Sequence, residues 1–217
     1  LFRDRTENLA LTLDRLAEAK EVAKHSDVVI LCLGLDETLE GEEGDTGNSY
    51  ASGDKETLQL PEVQRDLMKA VAECEKPVIL CLMAGSDIDL SFAREHFDAI
   101  LDLWYPGSQG GAAAARVLFG DVSPSGKLPV TFYETLEELP EFTDYHMEGR
   151  TYRYMKEKAQ YPFGFGLTYG DVWVTDAQIQ QEEDAAGDTE LTVHVVLENR
   201  EKVATDEVLQ IYVQYLE

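Results

Sequence analysis

An acidic segment between two apolar stretches is the part of this sequence best equipped for chemistry. Residues 34–60 read GLDETLEGEEGDTGNSYASGDKETLQL and hold one lysine, Lys55, among eight carboxylates: Asp36, Glu37, Glu40, Glu42, Glu43, Asp45, Asp54 and Glu56. Crowded carboxylates repel one another, so we expect at least one of them to have a raised pKa. A carboxyl group that keeps its proton near neutral pH can act as a general acid.

Three interpretations of this acidic segment stay open when its spacing is considered alone. The first is a solvated acidic loop, and the second is the general acid. The third is a calcium site built from carboxylates and carbonyls, although the segment lacks the ligand order of an EF-hand. A loop of this length inside a compact domain is usually functional or mobile.

Strands and helices alternate around the acidic segment. Short apolar runs predict buried strands at 27–33, 77–83 and 98–104, and helical periodicity predicts helices at 9–24, 61–75, 88–96 and 109–119. This alternation indicates an α/β fold with a mostly parallel sheet flanked by helices, an α/β sandwich. Such sheets bind ligands beyond the carboxyl ends of their strands, which here are the loops 34–60, 84–87 and 105–109.

The last part of the chain has a different pattern. Beyond residue 170, alternating apolar and polar residues predict strands at 171–179, 190–198 and 207–215. Three strands are too few for a complete sandwich, so we interpret this part as a truncated β-sandwich segment.

Composition excludes several classes of protein. The formal net charge of −25 disfavours nucleic-acid and membrane-surface partners, and no apolar run is long enough to span a bilayer. The first residues do not resemble a signal peptide, and three cysteines without motif spacing predict buried free thiols rather than a disulfide framework or a zinc site. We therefore expect a cytoplasmic protein without a metal or cofactor. A flavodoxin-like nucleotide binder is a further alternative, but no phosphate-binding glycine loop supports it.

Several motifs occur in the order seen in one enzyme family. They are residues 26–45 around the acidic segment, KPVIL at 76–80, WYPGSQGG at 104–111, LFGDVSPSGKLPVTF at 118–132, EGRTYRY at 148–154 and YPFGFGLTY at 161–169. In this order the chain resembles the C-terminal α/β domain of glycoside hydrolase family 3, followed by the start of a fibronectin type III-like domain. The resemblance implies an α/β sandwich domain at 1–135, a linker at 136–169 and a partial fibronectin type III-like domain at 170–217.

The resemblance also implies an activity. Members of this family are retaining β-glycosidases that remove terminal non-reducing sugars, here β-linked glucose or xylose, from oligosaccharides, disaccharides or aryl β-glycosides. Their nucleophile lies in a (β/α)₈ barrel of the same polypeptide, and nothing in this sequence matches that barrel. A fragment without the barrel is expected to be inactive. The alternative is a non-catalytic module of the same ancestry that binds carbohydrate or a protein.

The family motif Glu-x-Glu-Gly-x-Asp-Arg places the acid/base residue in this chain. Counting back from Asp45 assigns that role to Glu42. Glu43 stands where the family commonly has glycine, and Thr46 replaces the usual arginine, so Glu40 and Glu43 are rivals for the role.

The remaining expectations concern binding and order. Trp104 and Tyr105 follow the third predicted strand, where their rings could stack on a sugar or pack in the core. Besides the substrate and the barrel, a second copy of the chain, as in a homodimer, is a candidate partner. We also expect residues 42–52 to be poorly ordered without the barrel surface.

Overall fold

The structure is a computed structural model that describes residues 14–41, 55–183, 187 and 189–214. The chain forms two compact units: Leu1–Gly111 with Val130–Phe163, and Ala112–Pro129 with Gly164–Glu217. In the part of the chain that the structure describes, no helix is long and apolar enough to cross a membrane.

The first unit is built on a three-stranded parallel sheet. The strands lie in the order β1-β2-β3, with β2 in the centre and Cys32 of β1 in register with Cys81 of β2. Helices alternate with its strands along the chain: α1 (Asp14–Lys24), β1 (Val29–Gly34), α2 (Glu62–Ala72), β2 (Val78–Met83), α3 (Ser91–His96) and β3 (Ala99–Asp102). The next helix, α4 (Gly110–Leu118), begins in the first unit, and its residues from Ala112 onwards belong to the second. The predicted α/β class with a parallel sheet is confirmed. Residues 9–13 of the first predicted helix lie outside the described residues.

The centre of the core is β2, because it has a strand on each side. Val78, Leu80 and Leu82 are almost completely buried. Burying apolar side chains of this size stabilises a fold by roughly 1.5–3 kcal/mol each. The prediction that β2 is a buried strand is confirmed.

The same prediction is wrong for one face of β1. Leu31 and Leu33 are buried, but Ile30 is 46% exposed and Cys32 is also exposed. The prediction of three buried thiols therefore holds for Cys81 alone, because Cys74 is only half-buried. An apolar run cannot distinguish a central strand from an edge strand, and among the described strands β1 pairs only with β2.

Gly34 ends β1 at a point where two backbones meet closely. A Cβ atom on Gly34 would lie 1.8 Å from the carbonyl oxygen of Met83, its register partner in β2. The Gln64 side chain from α2 closes the other side: its Oε1 accepts from Gly34 N at 3.0 Å and its Nε2 donates to Gly34 O at 2.7 Å. Only glycine fits this end of the strand.

We expect Gly34→Ala to lower the free energy of unfolding by about 3 kcal/mol or more, because the new methyl group cannot fit without separating β1 from β2. Chemical denaturation of the two variants measures the change. Gly111→Ala is the control, since a Cβ on Gly111, in α4, meets nothing within 4 Å. Equal stability of the two variants would contradict this account of the strand end.

The segment after α4 returns to the first unit. Phe132 pairs with Tyr161 in an isolated bridge, and the buried Gln160 side chain accepts from Leu90 N at 2.6 Å and donates to Ile88 O at 3.0 Å. Between them lie a 3₁₀ turn (Leu136–Glu138) and the short helix α5 (Thr151–Tyr154). Much of the predicted linker, 136–169, thus packs in the first unit, while the predicted domain boundaries at 135 and 169 stay predictions.

The second unit contains an antiparallel pair of strands. β4 (Val172–Glu183) pairs with β5 (Thr189–Asn199), so two of the three strands predicted there are confirmed, and both are longer than predicted. The third is wrong over its described part, because residues 207–214 form no strand. Alternating apolar and polar residues form a strand only where a neighbouring strand pairs with them. The segment begins instead at an ion pair, with Lys127 Nζ 3.0 Å from Glu207.

Candidate active site

The three loops expected at the carboxyl edge of the sheet meet around one carboxylate. Glu40 Oε2 accepts from Gly85 N at 2.9 Å and from Tyr105 Oη at 2.5 Å, and its Oε1 accepts from Ser86 Oγ. Glu40 follows β1, Gly85 and Ser86 follow β2, and Tyr105 follows β3. We call these four residues, together with Lys55 and Asp87, the carboxyl-edge cluster. The prediction that the loops 34–60, 84–87 and 105–109 lie at the carboxyl ends of the strands is confirmed for their described residues, and their contact through Glu40 is an additional finding.

A tight turn directs Glu40 back towards the sheet. Asp36 accepts from Thr38 N at 3.0 Å and from Thr38 Oγ1 at 2.6 Å, and these bonds lower the pKa of the Asp36 carboxyl. The carbonyl of Asp36 then accepts from the amides of Leu39 and Glu40 at 3.0 and 2.9 Å. Such local side-chain bonds are the reason that aspartate initiates turns. The first residues after β1 are therefore folded by their own sequence.

The surroundings of Glu40 favour its ionised form. Burial raises the pKa of Glu40, but the hydrogen bonds from Ser86, Tyr105 and Gly85 and the charge of Lys55 outweigh it, and the net shift is downward. Donors aimed at a carboxylate stabilise the anion and disfavour the acid. Glu40 is therefore arranged as an anionic acceptor that ties the three loops together.

Lys55 and Asp87 complete the cluster on its buried side. Lys55 Nζ donates to the Asp87 carbonyl, and burial lowers the lysine pKa although the charges of Glu40 and Asp87 oppose the shift. Burial raises the pKa of Asp87 to about 6, against a hydrogen bond from Tyr133 N at 2.6 Å. Among the residues that the structure describes, the buried Asp87 Oδ1 has no hydrogen-bond partner. Asp87 is thus a carboxyl group that gains its proton just below neutral pH.

The two predicted sugar-stacking aromatics have different environments. The Trp104 ring is half-buried and meets Phe132 edge to face at 6.3 Å, and its backbone has a φ of 52°, which is left-handed. Tyr105 is 53% exposed, and burial of its hydroxyl together with the bond to Glu40 raises its pKa to about 12. A Cβ on Gly85 would lie 2.7 Å from the Tyr105 ring, so glycine allows this approach. Sugar contact by either ring stays a prediction.

Glu42, the predicted acid/base residue, and its rival Glu43 lie outside the described residues. The expectation that residues 42–52 are poorly ordered falls on the same part of the chain and stays a prediction. The other rival, Glu40, is described above. Sequence reasoning missed Ser86, Asp87 and the anchoring role of Lys55. Their signals were present, because Lys55 is the one cation of the acidic segment and residues 84–87 were expected at this edge. Within the described ranges, no three histidine, cysteine or acidic residues are grouped to hold a metal ion.

We expect Asp87→Asn to stabilise the protein at pH 7 and to flatten its stability between about pH 4 and 6. The folded-state pKa of about 6 exceeds the ordinary 3.8, so the contribution of Asp87 is present in full at low pH and is lost as the pH rises through 6. The full shift corresponds to about 3 kcal/mol. Because the group is only partly buried, solvent screening reduces the expected gain to about 1 kcal/mol.

Denaturant titrations from pH 4 to 8 measure this effect. Asp89→Asn is the control, because Asp89 accepts from Ser91 N at 2.9 Å and from Gln59 Nε2 at 2.6 Å, and such bonds, against burial, lower the Asp89 pKa. That variant is expected to lose stability at pH 7. An unchanged pH profile for Asp87→Asn would contradict the description of a buried, proton-holding carboxyl.

Comparison with known proteins identifies relatives along almost the entire chain. Residues 3–169 match the family model described as the glycosyl hydrolase family 3 C-terminal domain. A xylan 1,4-β-xylosidase from Xylanibacter ruminicola is 40% identical over 205 residues, which are 94% of this chain and 23% of that protein. A periplasmic β-glucosidase from Salmonella typhimurium is 33% identical over 209 residues, covering 91% of this chain and 26% of that protein.

Solved structures agree with these relatives. A β-glucosidase from Erythrobacter marinus superposes with a TM-score of 0.70 at 36% identity, covering 85% of this chain and 24% of that structure. A family 3 exo-β-xylosidase in complex with a xylobiose aziridine probe gives a TM-score of 0.63 at 30% identity, covering 72% and 21% respectively. The chain thus spans about a quarter of the length of the proteins it matches.

Proposed function

Because this chain belongs to the C-terminal domain family of glycosyl hydrolase family 3, we propose that it is the part of a retaining β-glycosidase that supplies the acid/base glutamate. The substrate is a glycoside with a terminal, non-reducing β-linked xylose or glucose. The remainder of the active site, including the nucleophile, is supplied by a (β/α)₈ barrel of the same polypeptide. The relatives named as β-xylosidases and β-glucosidases support this substrate class.

The anchoring of the acidic segment at the carboxyl edge is the observation that carries the proposal. Glu40 binds the loops after β2 and β3, and Lys55 binds the Asp87 carbonyl, so the described residues on both sides of 42–54 are held at the same edge of the sheet. Ligands of parallel α/β sheets bind beyond this edge. The stretch between these two anchors is therefore where we propose the acid/base glutamate.

The state of Glu40 supports Glu42 as the acid/base residue. A general acid must hold a proton when the glycosidic oxygen departs, and afterwards the same group must accept one from water. Glu40 accepts three hydrogen bonds and its pKa is lowered, so it is poorly suited to donate a proton. Glu42 follows it by two residues and keeps the register counted from Asp45. Glu43 is the remaining rival.

Retaining hydrolysis explains why this chain needs a partner domain. One carboxylate attacks the anomeric carbon while the second protonates the leaving oxygen, and the two groups stand about 5–5.5 Å apart. With the acid/base group on this chain and the nucleophile on the barrel, the cleft between the domains becomes the active site. Tyr105, half-exposed beside Glu40, offers a ring face at the same edge for a sugar.

The test compares the full-length protein with this chain alone. The full-length protein is expected to release nitrophenol from nitrophenyl β-xyloside or β-glucoside, and NMR of the first product is expected to show the β anomer. The chain alone is expected to release none above a buffer blank. Turnover by the chain alone, or an α first product, would overturn the proposal. Sugar binding without hydrolysis by the full-length protein would favour the non-catalytic module instead.

A further inference from the structure

Two thiols lie side by side on neighbouring strands of the sheet. Cys32 of β1 and Cys81 of β2 are register partners, so their side chains leave the same face of the two parallel strands. Cys32 is exposed, while Cys81 is 1% exposed. The two thiols interact: burial, followed by the charge and the hydrogen bond of Cys32, raises the pKa of Cys81 to about 11.

We propose that Cys32 and Cys81 form a two-thiolate site for a soft, two-coordinate cation of the Cu(I), Ag(I) or Hg(II) class. Binding replaces the two thiol protons with two metal–sulfur bonds and changes no oxidation state. The site opens to solvent on the side of Cys32.

The spacing of parallel strands suits such a cation. Neighbouring strands lie about 4.7–4.9 Å apart, so two register partners that adopt the same rotamer can place their sulfur atoms at about that distance on binding an ion. Two metal–sulfur bonds of about 2.3 Å placed end to end span about 4.6 Å. A disulfide requires the two Cβ atoms to approach to about 3.5–4.5 Å, which is below the usual spacing of about 4.7–4.9 Å between neighbouring strands. The geometry therefore favours a bridging cation over a disulfide.

The surroundings of the pair select a soft ion. The neighbouring positions on this face are apolar: Ile30 and Ile79 form the preceding register row, and Leu101 of β3 is the register partner of Cys81. Strand alternation also places the thioether of Met83 on this face. Hard cations prefer oxygen ligands, whereas thiolates and thioethers select Cu(I) and similar ions.

The test is a titration of the reduced full-length protein with Ag⁺, followed by thiolate-to-metal absorption in the ultraviolet and by counting reactive thiols. The wild type is expected to bind one Ag⁺ about 100-fold more tightly than Cys32→Ala, because the second thiolate binds intramolecularly. Cys81→Val is expected to lose the site equally. Cys74→Ala is the control and should bind like the wild type, because Cys74 donates to the carbonyls of Lys20 and Ala70.

Three results would overturn the proposal. The first is an unchanged Ag⁺ affinity in Cys32→Ala. Because Cys32 is exposed, alanine is tolerated there and this variant is expected to fold. The second is loss of the tight site in Cys74→Ala. The third is conversion of Cys32 and Cys81 into a disulfide by mild oxidation, seen as a mass loss of two hydrogens, because it would show that the sulfur atoms approach too closely for a bridging ion.

Discussion

Replacing Glu42 by alanine in the full-length protein is expected to lower kcat about 10²–10⁴-fold for glycosides with poor leaving groups. Those substrates need a proton on the departing oxygen, whereas activated aryl glycosides need little help and should lose less in the first step. Added azide is expected to restore turnover of the activated substrates, because it attacks the glycosyl-enzyme without a general base. The product should then be the β-glycosyl azide, which chromatography separates from the free sugar.

The neighbouring glutamates provide matched controls for this assignment. Glu43→Ala should keep most of its activity and gain nothing from azide. If azide rescues Glu43→Ala and not Glu42→Ala, the register counted from Asp45 is wrong by one residue. If it rescues neither of these variants nor Glu40→Ala, the acid/base residue lies outside the acidic segment.

Glu40→Ala is expected to reduce kcat about 100-fold for activated and unactivated substrates alike, without rescue by azide. The change removes the acceptor of Gly85 N, Ser86 Oγ and Tyr105 Oη, so the segment that carries Glu42 loses its attachment to the loops after β2 and β3. A misplacement of about 1 Å at a catalytic group can cost this much. The free energy of unfolding should fall by about 1–2 kcal/mol, because three donors lose a partly exposed partner.

Two variants that each remove one hydrogen bond to Glu40 provide a comparison for Glu40→Ala. Tyr105→Phe and Ser86→Ala each remove one donor and leave Glu40 in place, so each should lose only part of the activity that Glu40→Ala loses. Steady-state kinetics with both classes of substrate measure the change in kcat of each variant, and a denaturation curve measures its free energy of unfolding. Azide rescue of Glu40→Ala, or wild-type kcat in that variant, would show that Glu40 has a different role.

The first unit was largely predictable because its local patterns agree with one another. The apolar run at 77–83 is bounded by Pro77 and by the small residues after Met83, and it forms β2 in the centre of the sheet. The three loops at the carboxyl edge followed from the alternation of strands and helices alone. Their convergence on Glu40 is a geometric consequence of parallel strands whose ends lie side by side.

The features that were missed depend on contacts between distant residues. The exposure of Cys32 depends on which strands neighbour β1, which its own apolar run does not encode. The alternation at 207–215 is typical of a strand, yet residues 207–214 have no ladder partner in the described part of the chain. The raised pKa of Asp87 results from its burial in the folded chain, which outweighs a hydrogen bond from Tyr133 N, 46 residues away, so no local pattern could reveal it.

The discontinuity of the first unit has a consequence for how the protein folds during synthesis. Gln160 accepts a hydrogen bond from Leu90 N and donates one to Ile88 O. These two buried backbone groups therefore lack their hydrogen-bond partner until residue 160, which is 70 and 72 positions later in the chain, has been synthesised. At about 5–20 residues per second, the ribosome needs several seconds to supply it. During that time the loop after β2 is open, and the nascent chain exposes apolar surface to chaperones or to aggregation. A recombinant domain that ends at residue 135 would remain in that incomplete state, whereas one that extends past Phe163 would contain every part of the unit described here.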